Sequence, residues 1–225
     1  QRISFADDNA PPEFLIKKAR TEFMVGGTVI DVDWQNITHQ HNLLGQPTTY
    51  QARADNSDLW NAFNLNGELS LTDLGIDAKQ QWQLKGAKLN NLKLSNSSEL
   101  SANILSSMMD SDGTVLVREN KLDGKAMVRM LNLDLEAEGS SKLTSAVAGA
   151  LKQLQRLDIT TNIGGDIQRP SLSFESDLDD QLGDALAQSA MGEADEKLAE
   201  IKADLTAKVS EQLGGQQGLL ENLTQ

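Results

Sequence analysis

A period of two runs through much of this chain. From Phe63 to Leu71 the odd positions are Phe63, Leu65, Gly67, Leu69 and Leu71, while the even ones are Asn64, Asn66, Glu68 and Ser70. Successive side chains on a strand point to opposite faces, so this pattern describes a strand with one dry and one wet face. The alternation returns at Thr28–Trp34, Ile76–Leu84, Leu131–Leu135, Leu157–Ile163 and Leu172–Phe174. The expected dry face carries Ile30, Val32, Trp34, Phe63, Leu65, Leu69, Leu71, Ile76, Trp82, Leu84, Leu131, Leu133 and Leu135. A chain so patterned is an α+β protein dominated by a twisted antiparallel sheet, and the question is what covers its dry face.

Turn chemistry divides the strands. Pro11-Pro12 marks the start, Gly26-Gly27 a tight turn, Gly45–Pro47 another, and Asp73-Leu74-Gly75 joins the best hairpin, Phe63–Leu71 with Ile76–Leu84. A further hairpin is expected around Asn120–Gly124, with a bulge near Met130-Leu131 where the apolar register slips. Gly164-Gly165 reads as the turn between the last two strands. Two helices interrupt the sheet. The spacing of Leu100, Ile104 and Met108 predicts one over residues 97–109, capped by Ser97 or Ser98 and ended by Asp110-Ser111-Asp112-Gly113. Leu143, Val147, Ala150, Leu151 and Leu154 predict a second over 140–155. Residues 1–175 are thus an elongated β domain. Residues 176–225 form an acidic helical segment with a tail, in which two helices, or one broken near Met191–Gly192, carry a leucine stripe.

Composition bounds the function classes. The net charge is −13, which disfavours nucleic acid and anionic headgroups as partners. Much of the excess lies in Glu175–Gln225, with 12 acidic residues against 3 basic ones. Absence of cysteine excludes disulfides, thiol nucleophiles and thiolate metal sites. No apolar run is long enough to span a bilayer. A polar opening without Met predicts an excised piece of a longer protein, with any targeting segment upstream.

No residue constellation specifies a reaction. His39 and His41 are the only histidines; on one strand they would share a face and clamp a metal, but no Cys or carboxylate cluster accompanies them, and surface residues near a turn are the plainer reading. Asp110–Gly113 imitates the start of a calcium loop, but Lys121 stands where the distal Glu belongs, so a helix-to-strand turn is expected there. Asp177, Asp179 and Asp180 suit the first turn of a helix. No cofactor or metal is expected. Trp34 and Trp82 lie on apolar strand faces, either as core under a helix or as lining of a groove left open for acyl chains; alternation alone fits both. The stripe Leu198, Ile201, Leu205 and Val209 either packs on the sheet or pairs with a partner helix, though it is short for a coiled coil.

The stretch Leu157–Leu186 resembles the C-terminal end of AsmA-like proteins. A strand there reads into a glycine (here Gly165), a short turn, a proline (Pro170), a second strand (Leu172, Phe174) and an Asp-Leu pair (Asp177, Leu178) that opens a helix. Asn66-Gly67-Glu68-Leu69-Ser70-Leu71 is similar to the Gly-x-Leu-x-Leu strands common in that family. The resemblance implies a Gram-negative envelope protein anchored in the inner membrane by a segment upstream, with a periplasmic β-rich body and an apolar groove. It further implies a part in moving phospholipid or maintaining the outer membrane, and supplies no catalytic residues. The chain departs from the family in lacking the anchor and in its long acidic segment.

Two readings follow. In the first, this is a non-enzymatic periplasmic domain whose apolar sheet face meets phospholipid. In the second, it is a structural or protein-interaction module with a fully covered sheet, whose C-terminal stripe binds another envelope protein. An enzyme, with a polar pocket around His39 and His41, is the third.

Overall fold

The computed structural model describes residues 11–55, 57–187 and 195–214. Nine strands follow one another as an antiparallel meander in which every neighbour in sequence is a neighbour in the sheet. They are β1 (Ile16–Val25), β2 (Thr28–Ile37), β3 (Thr48–Asp55), β4 (Ala62–Thr72), β5 (Gly75–Asn96), β6 (Leu100–Arg118), β7 (Lys121–Gly139), β8 (Arg156–Asp166) and β9 (Arg169–Ser176). Helix α1 (His41–Leu44) bridges β2 and β3, and α2 (Lys142–Leu151) bridges β7 and β8; α3 (Leu178–Ala187) and α4 (Asp195–Gly214) follow the sheet. The fold is the expected α+β, mostly curved antiparallel sheet.

The pairing keeps one face largely apolar from β2 across to β9. One cross-strand row reads Val32, Ala52, Leu65, Trp82, Gly113, Ala126, Thr161 and Phe174; the next toward the helices runs from Ala54 through Phe63, Leu84, Ser111 and Val128 to Ile159. The hairpin expected from Phe63 and Ile76 forms in the register that sets Phe63 against Leu84 and Leu71 against Ile76.

Three corrections to the sequence reading have physical causes. The helix expected over 97–109 is the start of β6. A spacing of four is also a multiple of two, and Ala102 completes an alternation with Leu100 and Ile104, all three buried. Ser97 does cap, but in a hairpin loop, where its hydroxyl accepts the Leu100 N–H at 3.0 Å. Asp110–Gly113 consequently lies inside β6 rather than in a helix-to-strand turn. Glycines 164 and 165 belong to β8, opposite Ser171 and Pro170, and the turn comes after Asp166.

The long strands β5, β6 and β7 bend together. Buried apolar residues step by three at Leu89 and Leu92, and Met130 is followed by the core-packed Leu133; in β6 the buried pair is Ile104 and Ser107. Asn91 and Asn132 take left-handed backbone (φ 55° and 52°), and the β6–β7 register shifts on both sides of Ser106. Each step returns the next apolar side chain to the same face, and asparagine tolerates the left-handed region better than most residues. The expected slip near Met130-Leu131 is this bulge.

Beyond the bend the face is capped by helices. Ser141 caps α2 through a reciprocal pair with Thr144, and Val147 and Leu151 are fully buried. At the end of β7, a Cβ on Gly139 would stand 2.1 Å from the Thr144 carbonyl carbon, so only glycine lets strand and helix approach this closely. Helix α2 packs on β6 and β7, α3 on α2, and α4 on β5 and β9. Leu178, Leu182, Leu205 and Val209 join one cluster with Ala87, Leu92, Ile104 and Leu157. Residue 175 therefore does not separate two cores. The expected break at Met191–Gly192 lies outside the described residues.

At the other end, α1 is fastened by His41, which is 5% exposed. Its Nδ1 accepts the Leu71 N–H at 3.0 Å. Thr48 Oγ1 donates to the Asn36 carbonyl at 2.7 Å, and so receives its own bond from His41 Nε2–H at 3.0 Å. This arrangement fixes the neutral Nε2–H tautomer. Burial, assisted by His39, pushes the His41 pKa below its usual value.

Two outcomes are expected. Asn132→Val places a β-branched residue at positive φ and costs about 1–2 kcal/mol, whereas Asn132→Gly stays within about 1 kcal/mol of wild type. Thermal melts will separate the two, at about 2–4 °C per kcal/mol for a chain this size. Because His41 titrates lower in the folded state, its stabilisation is complete above its unfolded pKa of about 6.5 and fades as pH falls through the lower folded value. Denaturant midpoints measured between pH 7.5 and 5 will decline in wild type and decline less steeply in His41→Gln.

Candidate functional site

The candidate site is the part of the apolar face that, among the described residues, lies outside the cover of α2, α3 and α4; α1 packs against β4 at this end. Of the thirteen residues expected on this face, Ile30, Phe63, Leu84, Leu133 and Leu135 pack into the helix-covered core. Leu131 is turned away: the bulge at Asn132 places it opposite Met108 and Arg156, on the other face from Met130. Val32, Trp34, Leu65, Leu69, Leu71, Ile76 and Trp82 remain on the uncovered part. Val32 is buried among its neighbours, Leu71 is 40% exposed, and the other five are half-buried. The pattern in the sequence finds the face, but not the bulge that removes Leu131 from it or the helices that claim the other five.

Aromatic rings pave this surface by lying over glycines on neighbouring strands. A Cβ at Gly67 would fall 2.1 Å from the Tyr50 ring, and one at Gly113 would fall 2.2 Å from the Trp82 ring. Trp34 and Tyr50 pack with centroids 5.2 Å apart. Sequence reasoning missed Tyr50, Gly67 as its seat and Gly113; an aromatic opposite a glycine in paired strands is the signal that finds them.

The polar atoms among these rings are satisfied within the protein. Trp34 Nε1–H donates to Thr21 Oγ1 at 2.9 Å, Trp82 Nε1–H to Ser111 Oγ at 3.2 Å, and Tyr50 Oη–H to Gln80 Oε1 at 2.9 Å. The rings therefore present only their apolar surface toward solvent, with Gln80 and Thr21 as polar neighbours on the same face. Such a surface takes an apolar guest without leaving buried polar groups unpaired.

The opposite face is polar and holds the depressions. One of about 570 Å³ lies between the rows Lys18–Gln35–Thr49–Glu68–Lys79 and Asp33–Gln51–Asn66–Gln81. Another of about 530 Å³ adjoins it near Asp77, Leu116 and Arg118. Both are open and carry both signs of charge. The Gln51 side-chain amide donates to Asn66 Oδ1 at 2.7 Å, so part of the amide row is already spent on itself.

Other candidates resolve as structure. Both ring nitrogens of His41 are engaged by the protein, so it is neither a surface residue nor a free ligand, and it opens α1 instead of sharing a strand face with His39. Among the described residues, no group of three or more His, Asp or Glu is placed to hold a metal. Asp110 clamps the β5 bulge: its Oδ1 accepts the Gly86 N–H at 2.9 Å and its Oδ2 pairs with Lys85 at 3.1 Å. Burial works against its charge, but Gly86, Lys85 and Arg129 together outweigh it and hold the carboxyl below its usual value. Asp177 accepts the Asp158 N–H at 2.9 Å, tying the start of α3 to β8.

The partner-helix residues are not free either. Leu205 and Val209 are 0% and 2% exposed inside the chain's own core, and Ile201 packs against it; the side chain of Leu198 lies outside the described residues. No described helix is long and apolar enough to cross a membrane.

No family model, no curated protein and no solved structure matches this chain.

Proposed function

We propose that the uncovered apolar face holds the acyl chain of a phospholipid, and that the chain is a non-enzymatic, AsmA-like domain of the periplasm serving outer-membrane maintenance. The observation that carries the lipid reading is the continuation of the apolar face past its helical cover. Among the described residues, Trp34, Leu65, Leu69, Ile76 and Trp82 lie outside the core that α2, α3 and α4 cover, and the polar atoms of the Trp34, Tyr50 and Trp82 rings are already bonded. Each methylene removed from water on such a surface contributes roughly 0.8 kcal/mol, so a chain lying across several strands gains useful affinity without a single charged contact. In the competing reading the C-terminal stripe binds a partner helix, but Leu205 and Val209 of that stripe are buried in the chain's own core, and Trp34, Leu65, Leu69, Ile76 and Trp82 lie outside that core.

The three tryptophans make the reading testable. Trp34 and Trp82 belong to the uncovered face, whereas Trp60 is 4% exposed within the core. Titration with a brominated lysophospholipid below its micelle concentration will quench the fluorescence of Trp34 and Trp82. A Trp34→Phe/Trp82→Phe protein, left with Trp60, will respond weakly. Leu69→Asp will reduce affinity at least about tenfold, equivalent to about 1.4 kcal/mol. Quenching confined to Trp60, or affinity untouched by Leu69→Asp, removes the acyl-chain site from this face.

A further inference from the structure

The two edges of the sheet differ. At the β9 edge, Pro170 lacks an N–H to offer and α4 packs against the strand, and both features discourage further pairing. The β1 edge has neither. It is a regular strand of ten residues, paired to β2 without a register break and bonded to no strand on its outer side among the described residues. Apolar exposure also concentrates here: Phe14, Ile16, Phe23 and Met24 are 51%, 38%, 53% and 75% exposed, and Val29 across the hairpin is 47%.

The hairpin geometry tells which backbone groups face outward. Val25 and Thr28 close a two-residue loop, Gly26-Gly27, in which both glycines have positive φ. In such a hairpin the closing pair exchanges both hydrogen bonds, and bonded pairs alternate from there. The odd-numbered residues of β1 therefore bond to β2. Lys18, Arg20, Glu22 and Met24 turn their N–H and C=O groups to the open side.

The charge on this edge selects among occupants. On β1 itself Lys17, Lys18 and Arg20 stand against one acid, Glu22, while Asp31 and Asp33 lie behind Glu22 and Arg20 on β2. Arg20 is paired with Asp31 at 2.8 Å, while Lys17 and Lys18 make no ion pair among the described residues. Edge lysines ordinarily repel a further strand. A second copy would bring the same cations. An acidic strand meets opposite charge instead, as cross-strand pairs favour.

We propose that β1 is a docking edge for an extended, acidic segment of a partner protein, which adds to the sheet by main-chain hydrogen bonds. Its carboxylates lie on the polar face toward Lys18, which makes no ion pair among the described residues. Its alternate, apolar side chains lie beside Ala19, Thr21 and Phe23 and widen the apolar face. This rests on the edge alone and is independent of lipid occupancy.

The probe is a capped, fluorophore-labelled peptide, Val-Glu-Val-Glu-Val-Glu-Val, with a control in which Lys replaces Glu. Fluorescence anisotropy will report saturable binding of the acidic peptide, weakened by salt, and binding of the lysine control at least about tenfold weaker, a gap of about 1.4 kcal/mol. Glu22→Pro removes an outward N–H while sparing the bonds to β2, and edge positions tolerate proline. It will abolish binding with little change in the melting temperature. Lys17→Glu/Lys18→Glu, a surface change that keeps the strand, will also abolish it. Equal binding of the two peptides, or undiminished binding by Glu22→Pro, overturns the proposal. So does a dimer of the peptide-free protein, seen by sedimentation and lost in Glu22→Pro, which assigns the edge to a second copy.

Discussion

Strands of 22, 19 and 19 residues lie side by side at the centre of this sheet, and strands of that length twist out of alignment with any flat layer packed against them. They serve one core only if they bend, and they keep one face apolar only if they bend in step. A single bulge in one strand would flip every later side chain to the wrong face. Here Asn91, the segment around Ser106 and Asn132 slip in neighbouring strands, so Leu92, Ile104 and Leu135 arrive together beneath the helices. Helices α2, α3 and α4 can cover one end of the face because of this shared slip, and the other end, on the near side of the bend, lies outside their cover among the described residues.

The period of two carried most of this architecture on its surface. Phe63–Leu71 against Ile76–Leu84 was legible as a hairpin down to its register, since alternation and turn chemistry agree there. The leucine and valine face of α2 was legible because Val147 and Leu151 fit only a helical repeat. Where the two periods share a multiple, the reading failed: Leu100, Ile104 and Met108 fit both, and Ser97 offers cap chemistry to a helix and a hairpin alike. Only the partners β5 and β7 decide the matter, and no local window contains them. Leu131 failed for the same reason, because its face is set by a backbone angle one residue later, at Asn132.

The dry face was legible, but its division was not. Alternation is demanded equally of a strand under a helix and of one facing a guest. Ile30 and Trp34, two turns of the same alternation on β2, part company only because one reaches the helix-bearing cluster and the other does not. The stripe of Leu205 and Val209 posed the mirror question and took the other answer. A helix whose apolar stripe is buried at home has none left for a partner, and the interaction surface must be sought where backbone and apolar groups remain unspent.

Those unspent groups lie along β1. An apolar face that ends at an edge strand is incomplete in two ways, since its last row has neighbours on one side only and its outward N–H and C=O groups have no strand partner among the described residues. At β9 both deficits are met by Pro170 and α4; at β1 they are not, and the lysines there act as a filter in place of a cap. They exclude a like-charged strand by repulsion and admit an acidic one by attraction, which is how an edge can stay open without inviting promiscuous pairing. An added strand would also give Phe23 the missing neighbour on its apolar side. Closing the edge and extending the face are then one event, and the same alternation that built the sheet determines what its next strand must look like.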